Sequence, residues 1–192
     1  MYRESIHAYR QALQISYREP RLETRRAGIY NNMAVQHMYL GELYKSMICL
    51  AQAALSIERG HTRISMSNIY NNIPIILRHV YPSDTQEHEQ TLHYLDLAET
   101  IARAEMNYAG LGSNLISKGI YYGKQREWDE SEQAFREALH IARQYRLVNT
   151  EASALNNLAT LYMQRYSDSA QQALAFLHKA RLLGNKVYRH HR

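Results

Sequence analysis

The stretch "YNNMA" at Tyr30–Ala34 returns as "YNNIP" at Tyr70–Pro74 and again as "LNNLA" at Leu155–Ala159. Asn is a mediocre helix former, yet each pair lies where apolar spacing reads as helix. A second mark follows each pair, an Ala three residues after an aromatic or Leu: Tyr9/Ala12, Leu50/Ala53, Leu95/Ala98, Phe135/Ala138 and Leu177/Ala180. From Asn32 to Ala53 is 21 residues, as it is from Ser117 to Ala138, whereas Asn72 to Ala98 is 26 and Asn157 to Ala180 is 23. The return from each Ala to the next inner mark holds at 19 or 20. One connection is nearly constant. The other absorbs insertions, in "YPSDTQEHEQ" (Tyr81–Gln90) and "YSDSAQQ" (Tyr166–Gln172), both rich in turn formers. A period of about 40 with loops confined to one kind of turn denotes paired helices.

Apolar spacing supports this. Trp128, Phe135, Ala138, Leu139, Ala142 and Tyr145 fall on one helical face, with Glu132, Arg136 and Glu137 on the other. Ser83, Asp84 and Thr85 offer N-caps, with Gln86 placed for a capping box. The spacing predicts nine helices, over 3–17, 22–39, 43–58, 63–80, 85–106, 109–124, 128–146, 150–165 and 169–185. No segment sustains two-residue alternation, so no sheet is expected.

Composition bounds the function classes. The chain has 192 residues, 45% hydrophobic and 21% charged, with 8 Gly and 3 Pro, which suits an ordered helical protein. Cys49 is the only cysteine, so no disulfide forms within the chain, and a cysteine-based metal site is not expected. No run of 18 apolar residues marks a membrane span. A formal charge of +5 favours acidic partners but is too small to establish nucleic-acid binding.

Leu115, Gly119, Tyr122, Trp128, Ser131, Phe135 and Ala138 match the tetratricopeptide-repeat pattern in type and spacing, as do Leu155, Leu158, Ala159, Tyr162, Ala173, Leu177 and Ala180. The chain thus resembles the tetratricopeptide-repeat family, in a long-period variety similar to kinesin light chains and bacterial sensory regulators. The resemblance implies an all-α fold, a right-handed superhelical solenoid of antiparallel helix hairpins. It would form one array: an unpaired helix over 3–17, repeats over 22–58, 63–106, 109–146 and 150–185, and a basic tail over 186–192. There are departures. His37 and Leu77 stand where the family carries Tyr, and Lys118 fills a usually apolar slot. Pro74 takes a small-residue position inside a predicted helix, where a straight helix would lose about 3 kcal/mol. A kink, or a helix that begins just before Pro74, is expected.

In the family, the first helix of each pair lines a concave surface, and an Asn there bonds the main chain of a bound peptide. By resemblance, Asn32, Asn72 and Asn157 face the groove, with Ser117 substituting in the third repeat. Asn31, Asn71 and Asn156 share its rim. Val35, Ile75, Ile120 and Thr160 form the floor, followed by Met38, Tyr39, Arg78, His79, Lys124, Met163 and Gln164. An amide suits the task because it both donates and accepts. The other reading of these Asn residues is that they brace neighbouring helices, and the two readings can coexist. Arg78, His79 and Lys124 read as a solvated face as readily as an acidic-ligand site, and Met38 and Met163 as packing residues.

Catalytic signatures are weak. In "HEQTLH" (His88–His93) the two His are five apart, about 140° around a helix, so they cannot share a metal as an i, i+4 pair does. "GLGSNL" (Gly110–Leu115) lacks the third glycine and preceding strand of a dinucleotide loop. Cys49 reads as an inert core thiol, and "KVYRHHR" (Lys186–Arg192) as a solvated tail. No enzyme activity, cofactor or metal is expected. Residues 169–185 present Leu174, Leu177, Leu182 and Leu183 with no following helix to cover them all, so self-association through terminal helices, or excerpting from a longer protein, is expected. The expected function is capture of a peptide or protein ligand, as a scaffold or as the sensor segment of a larger bacterial regulator. Helical-repeat RNA binding and a purely structural oligomerising array are the alternatives.

Overall fold

The computed structural model describes residues 2–59, 64–80, 85–165 and 170–189. Among them are nine α-helices: α1 (Tyr2–Arg18), α2 (Arg26–Tyr39), α3 (Leu43–Glu58), α4 (Met66–Val80), α5 (Thr85–Ala104), α6 (Tyr108–Gln125), α7 (Trp128–Gln144), α8 (Val148–Arg165) and α9 (Ala170–Arg189). No strand occurs among the described residues, and no helix among them is long and apolar enough to cross a membrane. The chain divides into two compact units, Met1–Ile101 and Ala102–Arg192.

Two expectations are corrected. The helix foreseen from residue 22 starts only at Arg26, because Pro20 opens a 3-10 turn, Pro20–Arg25, in front of it. Arg26 fixes that junction. Its Nη2 donates to the Ser16 carbonyl at 2.7 Å, near the negative end of the α1 dipole, and its Nη1 to Glu23 Oε1 at 3.2 Å. The guanidinium sits 4.3 Å from the Tyr17 ring centroid. Beside it the Tyr17 and Tyr30 hydroxyls share a 3.0 Å hydrogen bond, and burial together with that bond pushes the Tyr30 phenol up to about 12. The second correction concerns Pro74. Helix α4 does not begin just before it but at Met66, two turns earlier, and runs on to Val80. Lacking an N–H, Pro74 gives nothing to the Tyr70 carbonyl. The foreseen cap at Ser83–Thr85 lies outside the described residues. At the other end α9 continues to Arg189, into the stretch read as a basic tail.

Four of the helix-to-helix turns are closed by backbone. Gly41, Met106, Arg126 and Arg146 each hold φ between 52° and 72°. In each case the next N–H reaches back five residues: Glu42 to His37, Asn107 to Ala102, Glu127 to Tyr122 and Leu147 to Ala142, at 2.8–3.0 Å. This is the left-handed Schellman ending of a helix. Three of the four turns lie 20 residues apart, at 106, 126 and 146, which is half the period read from the sequence.

Within unit 1, Ser46 Oγ donates to the Ala34 carbonyl at 2.8 Å and joins α3 to α2. Within unit 2, Ser131 Oγ donates to the Gly119 carbonyl at 2.7 Å and joins α7 to α6. Donor and acceptor are both displaced by 85 residues. The same displacement carries Gly41 onto Arg126 and Asn72 onto Asn157, so α2–α3–α4 corresponds to α6–α7–α8. Close approach in unit 2 requires Gly119: a Cβ there would lie 2.5 Å from Phe135. The corresponding pair in unit 1, Ala34 and Leu50, are both buried. A larger residue on one helix goes with a smaller one on the other, as close packing demands.

Each unit has its own core. Ile6, Leu13, Met33, Met38, Leu50, Ile69 and Ile76 build that of unit 1. Leu111, Leu115, Phe135, Leu139, Leu155, Leu158 and Leu161 build that of unit 2. Leu155 and Leu158 lose essentially all contact with water, about 1.5–3 kcal/mol of hydrophobic stabilisation each. Cys49 is buried in α3, and its burial pushes the thiol above its usual value.

Candidate functional site

Helix α6 is anchored at its start. Asn107 Oδ1 accepts from the Gly110 N–H at 3.0 Å, capping its start. There Tyr108 stacks on Tyr145 at the end of α7, centroids 3.6 Å apart. In its second half, Gly119 and Gly123 strip one side of α6 of side chains. With Ile120 and Lys124 of α6, Ser131 and Phe135 of α7, and Asn157, Thr160, Leu161 and Gln164 of α8, they enclose a cavity of about 210 Å³. Phe135 and Leu161 give it apolar walls. Ile120 and Thr160 are exposed at its opening with Lys124 and Gln164.

The polar groups are oriented by their own helix. Asn157 Nδ2 donates to the Ser153 carbonyl at 2.9 Å, leaving the amide oxygen without a partner among the described residues. Thr160 Oγ1 donates to the Asn156 carbonyl at 3.1 Å. The arrangement offers acceptors, an amide and an ammonium around an apolar slot, which suits binding an extended chain by its backbone.

Of the groove residues foreseen in unit 2, the structure brings Ile120, Lys124, Asn157, Thr160 and Gln164 together. Ser117, half-exposed and donating to the Ser113 carbonyl at 3.2 Å, does not line the cavity, nor do the exposed Asn156 and Met163. Gly119, Gly123, Ser131, Phe135 and Leu161 complete the lining and were not foreseen as site residues. The glycines four residues apart in "GIYYG" (Gly119–Gly123) were the available signal.

In unit 1 the Asn residues do something else. Asn72 Nδ2 donates to Asn31 Oδ1 at 2.8 Å and braces α4 against α2. The position that corresponds to Asn31 in unit 2 is Ile116, which offers Asn157 no such partner. Asn32 is exposed and Asn71 half-exposed. Val35 and Ile75 pack against the core rather than flooring an open groove, and Met38 is a core side chain rather than a groove residue. Exposed Tyr39 stacks on Tyr2, centroids 5.2 Å apart. The side chains of Arg78, His79 and His88 lie outside the described residues. His37, in the slot expected for Tyr, is buried with Nδ1 2.6 Å from Glu42 Oε2. Hydrogen bonds from Lys45 and then His37 hold the Glu42 carboxyl below its ordinary value.

A charged network ties α7 to α8. Arg136 Nε donates to Glu132 Oε1 at 2.7 Å, the Tyr162 hydroxyl donates to the same oxygen at 2.7 Å, and Arg136 Nη2 donates to the Tyr162 hydroxyl at 2.9 Å. Arg165 adds a 2.7 Å bond to Asp129. Burial alone would raise the Glu132 carboxyl; the bonds from Tyr162 and Arg136 and the charge of Arg165 outweigh it and hold the group below the ordinary range.

No protein-family model matches the chain, and no curated protein matches it in sequence. Among solved structures it is similar to BtubC (BKLC) from P. vanneervenii, at a TM-score of 0.67 and 15% identity, covering 94% of this chain and 72% of that one. At that identity the likeness is one of fold: both are helical proteins of related architecture.

Proposed function

We propose that unit 2 binds an extended segment of a peptide or protein in the cavity between α6 and α8, in the manner of the tetratricopeptide-type arrays that the sequence resembles. The observation that carries this reading is the convergence of Ile120, Lys124, Asn157, Thr160 and Gln164 on one slot walled by Phe135 and Leu161. Its 210 Å³ falls below the 300–1,000 Å³ of sites that enclose whole small molecules. It suits one apolar side chain of a segment whose backbone crosses the Asn157 amide. The protein then acts as the binding segment of a scaffold or sensor rather than as a catalyst.

An arrayed library of extended peptides, followed by fluorescence anisotropy on those retained, tests this. Asn157→Ala is expected to weaken a retained peptide about tenfold, as the loss of one hydrogen bond in a sheltered site does. Asn72→Ala is expected to leave the affinity alone and to cost about 1 kcal/mol of folding stability through the lost brace to Asn31. A library with no binder, or a binder indifferent to Asn157→Ala, overturns the reading.

A further inference from the structure

One side of α3 carries Tyr44, Met47, Ile48, Ala51 and Leu55, spaced by one helical turn to form a continuous stripe. It is not covered: Tyr44 is 77% exposed, Met47 54%, Ile48 45% and Leu55 44%. The fold does not ask for apolar residues here. The corresponding positions on α7 are Asp129, Glu132, Gln133, Arg136 and His140. The α3 stripe leaves roughly 400 Å² of apolar surface in water, the size of the largest patch on ordinary monomers and one that commonly marks an interface.

We propose that this stripe is the interface of a homodimer, in which α3 packs antiparallel against α3 of a second copy about a two-fold axis between Ala51 and Gln52. The stripe is self-complementary about that point. Ile48 comes level with the partner subunit's Leu55, and Tyr44 with the partner subunit's Arg59, whose guanidinium can lie over the ring. Ala51 at the crossing lets the axes approach closely. The antiparallel arrangement also puts the start of each helix beside the end of the other, where their dipoles attract. One two-fold axis closes the assembly at two copies. The stripe supplies about half of the ~800 Å² that each partner gives to a standard interface, so the dimer is one of modest affinity that forms in the micromolar range.

Sedimentation of the full chain over a concentration series from low micromolar to several hundred micromolar tests the proposal. The parent should pass from monomer to dimer. Ile48→Glu and Leu55→Lys should each weaken dimerisation at least about tenfold. Because both positions are half-exposed, helical content and the melting of the dilute monomer should hold, and Gln133→Glu, the matching change on α7, should leave the dimer intact. In a Cys49→Ser background, Gln52→Cys should oxidise to a cross-linked dimer, since that residue meets its own copy near the axis. A parent that stays monomeric across the series overturns the proposal. So does a dimer that survives Ile48→Glu but dissociates on Leu177→Glu, which would place the contact on α9.

Discussion

Helices α2–α4 and α6–α8 share their turn hydrogen bonds and their interhelical Ser bond at a displacement of 85 residues, yet they use their side chains in opposite ways. In unit 1 the Asn pair is spent on bracing, Asn72 to Asn31, while the exposed side of α3 is apolar. In unit 2 the matching Asn157 has no such partner and lines a cavity, while the exposed side of α7 is an ion-pair network. The turns and one hydroxyl are enough to set the hairpin. What each hairpin offers to other molecules is decided by substitutions that leave those contacts untouched.

The strongest way to break the correspondence is at its closest contact. Gly119→Ala is expected to cost about 2–3 kcal/mol in urea unfolding, because the added methyl meets the Phe135 ring. Adding Phe135→Leu recreates the Ala–Leu pair of unit 1 and should recover part of that loss. A double variant no more stable than Gly119→Ala alone would show that the two hairpins do not pack by the same rule.

A smaller effect separates the two exposed faces. Glu132→Gln should cost about 1 kcal/mol at neutral pH, a figure discounted for the solvent around half-exposed Arg136. Because the folded protein holds this carboxyl below its ordinary 4.5, its contribution is complete above that value and is lost as pH falls through the lower, folded-state value. Melting temperatures of the parent and Glu132→Gln should therefore converge below pH 4.5. A gap that persists in acid would mean the side chain matters only for packing.

The smallest effects test the turns. Arg126 holds φ 63° where its counterpart is Gly41 at 72°. Arg126→Gly should gain about 0.5–1 kcal/mol and Gly41→Ala lose a similar amount, both readable as shifts in melting temperature. Opposite signs would deny that the two turns are equivalent.

Helix α7 was legible because Trp128, Phe135, Ala138 and Ala142 mark one face against Glu132 and Arg136 on the other. Pro74 misled in part: its neighbours pack well enough that the helix tolerates a missing N–H. The start of α2 was hidden because Pro20 is as good an opener for a 3-10 turn as for an α-helix, and the anchor is Arg26, a contact to α1 that no local pattern announces. The cavity was half legible. The repeated Asn pair pointed to Asn157, and the family resemblance carried along the helix pointed to Thr160 and Gln164, but the glycines that make room are visible only once a neighbouring helix leans on them. The α3 stripe went unread because "LYKSMICLAQAAL" (Leu43–Leu55) is apolar nearly all round, and such a helix reads as buried.

The left-handed turns at Gly41, Met106, Arg126 and Arg146 are closed by main-chain groups that every residue but proline carries. Mutation can therefore rewrite many letters at these corners and keep the closing bonds, β-branched residues at the positive-φ position aside. Such corners hold a hairpin's shape while the letters that spell it change.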